Sequence, residues 1–129
     1  MTTDLATGTP LLELRDIEAC YGPFRSLFGV SFAIQEGGVT ALLGSNGSGK
    51  TTVVRICSGL LHPSGGQLFY RGDDISQTRA YKLAQLGVVH APEGRSVFAT
   101  LTVEENLALT FRQVVGRKGC RDAIDRSCE

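Results

Sequence analysis

Between an apolar run, Val39–Leu43 (VTALL), and an apolar series beginning at Val53, the chain carries GSNGSGKTT, residues 44–52. Nothing else in the sequence restricts the fold so tightly. Glycines at 44, 47 and 49 suit neither a strand interior nor a helix interior, so the stretch reads as a loop. The run before it is short, continuous and apolar, the pattern of a strand covered on both faces. After it, Val53, Val54, Ile56, Cys57, Leu60 and Leu61 recur at helical spacing, and Pro63 stops the series. Strand, glycine loop and helix in that order belong to an α/β chain.

The pattern Gly44-x-x-x-x-Gly49-Lys50-Thr51 is a P-loop. Its glycines let the amides of Gly44, Ser45, Asn46, Gly47, Ser48 and Gly49 turn inward into a concave nest for an anion. A helix starting near Lys50 adds the positive end of its dipole at the same point. Lys50 brings a full charge to β- and γ-phosphates. Thr51 offers a hydroxyl to Mg²⁺, and Thr52 can reach an α-phosphate oxygen. A glycine-rich turn without a ligand would require neither the lysine nor the adjacent hydroxyls. The expected ligand is therefore a nucleoside triphosphate with Mg²⁺.

The 129 residues suit one domain, and 42% apolar with 20% charged residues is the balance of a soluble globular chain. Thirteen basic residues offset thirteen acidic ones, which argues against a nucleic-acid partner. MTTDLATGTP lacks the apolar centre of a signal peptide, and no run approaches a membrane span, so a cytosolic chain with a flexible segment at 1–10 is expected. The cysteines at 20, 57, 120 and 128 form no C-x-x-C pair and read as reduced thiols, Cys57 buried on the helix.

Around the loop, LLELRDI (11–17) mixes apolar and charged positions like a strand near a sheet edge. Cys20–Pro23 and Glu36–Gly38 carry turn chemistry, and VSFAI (30–34) between them reads as a strand. Ser64-Gly65-Gly66 turns into a strand at QLFY (67–70), a short helix is expected over 78–86 with Gly87 as its cap, and VVHA (88–91) reads as a strand stopped by Pro92. Thr102-Val103-Glu104-Glu105 is a capping box opening a helix with Val103, Leu107, Phe111 and Val114 on one side. Beyond Val115 the chain turns polar, with no element assigned. The closely spaced early strands suggest an antiparallel flank on the α/β core.

GSNGSGKTT resembles the Walker A loop of ATP-binding cassette (ABC) transporter ATPases. The similarity extends over about residues 11–115, through LLELRDIEACYG, through the segment from VSFAI to GGQLFYRGDDI, and into VVHAPEGRSVFATLTVEENLAL. The PEGR…F..LTVEENL form is similar to the branched-chain amino acid subgroup. The resemblance implies a P-loop NTPase core with an antiparallel β flank and the start of a helical subdomain, residues 11–129 forming a partial domain. It implies that Tyr21 stacks on adenine and that Glu93 stands where most members have the Q-loop glutamine, a contact to Mg²⁺. It also implies a second ABC ATPase subunit, transmembrane permease subunits, an indirectly engaged substrate-binding protein, and a place on the inner face of the membrane. Ser64-Gly65-Gly66-Gln67 spells most of the family signature LSGGQ, but it leads into a strand, whereas a signature must open a helix.

The family's Walker B run, its signature helix and its switch histidine have no counterpart here. The acidic residues after Glu93 are Glu104, Glu105, Asp122, Asp125 and Glu129, none behind an apolar strand. No catalytic residue is therefore assigned. The sequence reads as roughly the first half of a cassette, expected to fold poorly alone, with Val39–Leu43 as an unpaired edge, and to turn over no ATP. Two other classes use the same loop: a nucleotide-binding module without hydrolysis, and a small-molecule kinase or GTPase, although the N-K-x-D motif of a GTPase is missing.

Overall fold

In a computed structural model, residues 8–94 and 97–127 are described; most of the expected flexible N-terminus and Arg95 lie outside them. The chain forms two compact units, divided between His90 and Ala91.

The first unit is built on a four-stranded sheet of order β2-β1-β3-β4, antiparallel throughout. Its strands are β1 (Leu12–Tyr21), β2 (Phe24–Ile34), β3 (Gly65–Tyr70) and β4 (Asp73–Asp74). The expectation of an edge for LLELRDI is overturned: β1 pairs with β2 on one side and β3 on the other. Its mixed composition reflects a sheet with one buried and one solvated face, since Leu12, Leu14, Ile17 and Ala19 are buried while Arg15, Asp16 and Glu18 are not. The alternation slips at Arg15-Asp16, where the register shifts and Asp16 takes φ 49°. Ser31 holds the irregularity: its Oγ accepts from the Asp16 amide at 2.8 Å and donates to the carboxylate at 3.2 Å. Gly66 sits opposite at φ 80°, and a Cβ there would run into the Asp16 and Arg15 carbonyls. The Ser64–Gln67 segment thus enters a strand, as its sequence context requires.

Two helices complete the unit. α1 (Lys50–Cys57) buries Thr52, Val53 and Ile56 but leaves Val54 exposed, and Leu60 beyond its end is exposed too, so the apolar face is narrower than expected. It stops before Pro63 in a Schellman cap: Gly59 takes φ 70°, its N–H donates to Ile56 O, and Leu60 N–H donates to Arg55 O. α2 (Ala80–Gln85) ends in a Schellman cap, with Gly87 N–H bonded to Ala84 O and Val88 N–H to Leu83 O. Leu14, Ile17, Ile56, Leu68 and Leu83 are the largest fully buried side chains. Each contributes about 1.5–3 kcal/mol by leaving water.

Two expected strands are absent. Val39–Leu43 is irregular and solvent-facing, with Val39 100% and Leu43 87% exposed. A strand covered on both faces needs ladder partners, and among the described residues none pairs with this run. Val88–Ala91 is also irregular, because the Val88 amide is already committed to the cap of α2.

The second unit is a helical hairpin of α3 (Val103–Val114) and α4 (Gly116–Ser127). The capping box is complete: Glu105 N–H donates to Thr102 Oγ1 at 3.2 Å, and Thr102 N–H donates to Glu105 Oε2 at 2.8 Å. Asn106 pins the preceding loop, accepting from Phe98 N–H and donating to the carbonyls of Phe98, Leu101 and Thr102. Val103 is exposed, and the Val114 side chain lies outside the described residues. α4 was not expected, yet Cys120, Ala123 and Ile124 are buried on one face at helical spacing, and the Cys120 thiol lies 3.8 Å from Ala108 O on α3.

Candidate nucleotide-binding loop

The loop leaves the exposed run at Gly44 and enters α1 at Lys50. Gly49 is the N-cap of α1, with φ 93° and no side-chain cap. Two facts make glycine necessary there. A side chain strains this backbone region, and an added Cβ would lie 2.5 Å from Leu27 Cδ2 and 3.3 Å from Ser26 O of β2. The loop therefore rests directly on β2, and β2 sets the position of the helix N-terminus.

Gly47 takes φ 82° with open space around it. The Ser48 amide closes a turn onto Ser45 O at 3.2 Å. Among the described residues, no protein acceptor meets the amides of Asn46, Gly47, Gly49, Lys50 or Thr51. The first turn of α1 holds no acidic residue. Free amides at an unopposed helix N-terminus form a cradle for anionic oxygen.

Lys50 Nζ donates to the carbonyls of Gly44 and Ser45, both at 2.7 Å. The ammonium is thereby held at the loop by groups that polyphosphate oxygens can replace. Thr51 is exposed, its hydroxyl without a protein partner among the described residues. Thr52 is buried, and its Oγ1 lies 3.1 Å from Ser26 Oγ. These residues fit a magnesium nucleotide: amides and an ammonium for phosphate, and a free hydroxyl for the metal.

Tyr21 ends β1 and is 42% exposed. The Thr52 hydroxyl beside it, more than the Arg55 charge, draws its phenol below the ordinary tyrosine pKa. Tyr21 thus lies near Thr52, on the first turn of α1. Glu93 is an exposed residue of a bend in the second unit. Ser26 was missed by sequence reasoning. A lone serine in a strand carries no local signal, and its role emerges only from the packing of β2 on α1.

Comparison with known proteins agrees with this geometry. The family model described as "ABC transporter" matches residues 27–128. A probable branched-chain amino acid transport ATP-binding protein of Archaeoglobus fulgidus, LivF, is 34% identical over 119 residues, covering 92% of this chain and 50% of LivF. Ribose import ATP-binding protein RbsA 1 of Agrobacterium fabrum is 35% identical over 107 residues, covering 83% of this chain and 21% of that protein. The chain thus spans half or less of the length of these relatives. A nucleotide-free ATP-binding cassette from an ABC transporter superposes with TM-score 0.72 at 31% identity, covering 78% of this chain and 40% of that one. Since the loop, the sheet beneath it and a family match over most of the sequence all coincide, the chain belongs to the ABC transporter family.

Proposed function

We propose that this chain is part of the ATP-binding subunit of an ABC transporter and binds ATP with Mg²⁺ at residues 44–52. The observation that carries the reading is the Lys50 ammonium held at the Gly44 and Ser45 carbonyls beside amides that lack protein acceptors. In this reading Gly44, Ser45, Asn46, Gly47, Ser48 and Gly49 cradle the phosphates and Thr51 ligates Mg²⁺. Tyr21 receives the adenine, and Glu93 completes the metal's surroundings. Partners are a second ATPase subunit and permease subunits, which would hold the protein at the inner face of the membrane. No described helix is long and apolar enough to cross a membrane.

Branched-chain amino acids are the proposed cargo, supported by the PEGR…LTVEENL segment and by similarity to LivF. Calorimetric titration with MgATP tests the site: saturable binding that Lys50→Ala abolishes is expected, and absence of binding by the unmodified chain refutes it. Cargo is tested separately by uptake of labelled leucine and ribose in cells lacking this chain. A loss of ribose uptake alone refutes the amino-acid assignment and leaves the ATP site standing.

A further inference from the structure

Thr52 lies on the first turn of α1, 6% exposed, and among the described residues its hydroxyl bonds only to that of Ser26 of β2, 26 positions earlier. The two hydroxyl oxygens are 3.1 Å apart. Helical threonine ordinarily divides between rotamers, because its hydroxyl can turn back to a carbonyl one turn earlier. For Thr52 that carbonyl belongs to Ser48 or Gly49, inside the loop. The bond to Ser26 selects the other choice and keeps the hydroxyl off the loop backbone.

A hydroxyl has one donor and two acceptor sites. If Ser26 donates to Thr52, the Thr52 proton is free to be given elsewhere, and the incoming bond polarises it. Ser26 is well placed to act in this way. The neighbouring Leu27 is 2% exposed and forms the surface against which Gly49 packs, so Ser26 is held at a fixed point beneath the loop.

We propose that Ser26 is a positioning residue for phosphate binding: its hydroxyl donates to Thr52 Oγ1 and sets the Thr52 hydroxyl to donate to a polyphosphate oxygen. This rests on the ATP-binding reading above. Ser26 acts through Thr52 and touches no ligand.

The test is calorimetric titration of the full 129-residue chain with MgATP and with magnesium tripolyphosphate, which keeps the phosphates and lacks the base and sugar. Ser26→Ala is expected to weaken both ligands alike, by about three- to tenfold, the worth of one hydrogen bond. Ser26→Thr, which restores the donor, is expected to recover affinity. In a Thr52→Val background, Ser26→Ala is expected to have no further effect. Should Ser26→Ala unfold the chain, Ser26→Cys, which keeps the volume and weakens the donor, is held to the same criteria. Three results overturn the proposal: unchanged affinity in the Ser26 variant, weakening of MgATP with tripolyphosphate untouched, or an undiminished loss when Thr52 is valine. If the unmodified chain binds neither ligand, the ATP-binding reading falls and this proposal with it. Normal binding with an indifferent Ser26 refutes this proposal alone.

Discussion

Replacing Gly49 by alanine tests whether the loop is seated on β2 as described. Two separate penalties are expected. The backbone at φ 93° is strained for a residue with a Cβ, costing about 1–2 kcal/mol. The new Cβ would stand 2.5 Å from Leu27 Cδ2, and Leu27 is too buried to swing away freely. Forcing a carbon into such a site costs about 1–3 kcal/mol. The total is about 2–5 kcal/mol, roughly an 8–20 °C fall in Tm at about 4 °C per kcal/mol for a chain of this size. Gly47→Ala is the control, because Gly47 has a similar φ of 82° and nothing within 4 Å of an added Cβ. It should show only the strain, about 1–2 kcal/mol. Urea unfolding followed by far-UV circular dichroism measures both, the midpoint reporting stability where the slope is unchanged. A double variant adds a sharper criterion. Leu27→Ala alone leaves a cavity, and Gly49→Ala in that background fills part of it, so the two losses should sum to more than the double variant shows. Equal losses for Gly47→Ala and Gly49→Ala, or strict additivity with Leu27→Ala, would refute the packing argument.

Two further expectations concern protons. Burial pushes the Cys57 thiol from 9.0 to about 11, so the folded chain keeps a proton that the unfolded chain releases. Its contribution to stability is complete below the unfolded pKa and disappears as pH rises through the folded value, a loss of about 2–3 kcal/mol at most. Cys57→Ala should flatten that part of an alkaline stability curve, and identical curves for the two chains would contradict the assignment. In the capping box, bonds from the Thr102 amide and hydroxyl hold Glu105 below the usual glutamate pKa of 4.5. That stabilisation is present above the ordinary value and lost as pH falls through the lower, folded one. Thr102→Ala should therefore reduce helicity at neutral pH and make the acid titration of the helix shallower, and an unaltered titration counts against the box.

The pieces that declare themselves locally were legible. The P-loop is a spacing of residue types whose chemistry is local. The capping box joins residues three apart, and Gly87 caps α2 from the next turn. Where partners lie far along the chain, the letters were less informative. LLELRDI resembles an edge strand, and it is central only because β2 and β3 arrive on both its sides. VTALL has the composition of a buried strand and is exposed, since a ladder requires a neighbour that no described residue supplies. The apolar stripe Cys120, Ala123, Ile124 could have been read at helical spacing, but the charges around it hid a helix that packing on α3 makes worthwhile.

For the candidate site the division follows the same physics. A candidate anion cradle with an ammonium and two hydroxyls is written in nine consecutive residues, because every group proposed to meet phosphate is supplied within one loop and one helical turn. Where that cradle sits, and which face of Thr52 is turned to it, depends on β2, whose Ser26 stands 26 positions before Thr52 and meets it only after the sheet has formed. Local chemistry survives in sequence order, whereas the seat of the loop arises from long-range burial of Leu27, Val53 and Ile56 in one core.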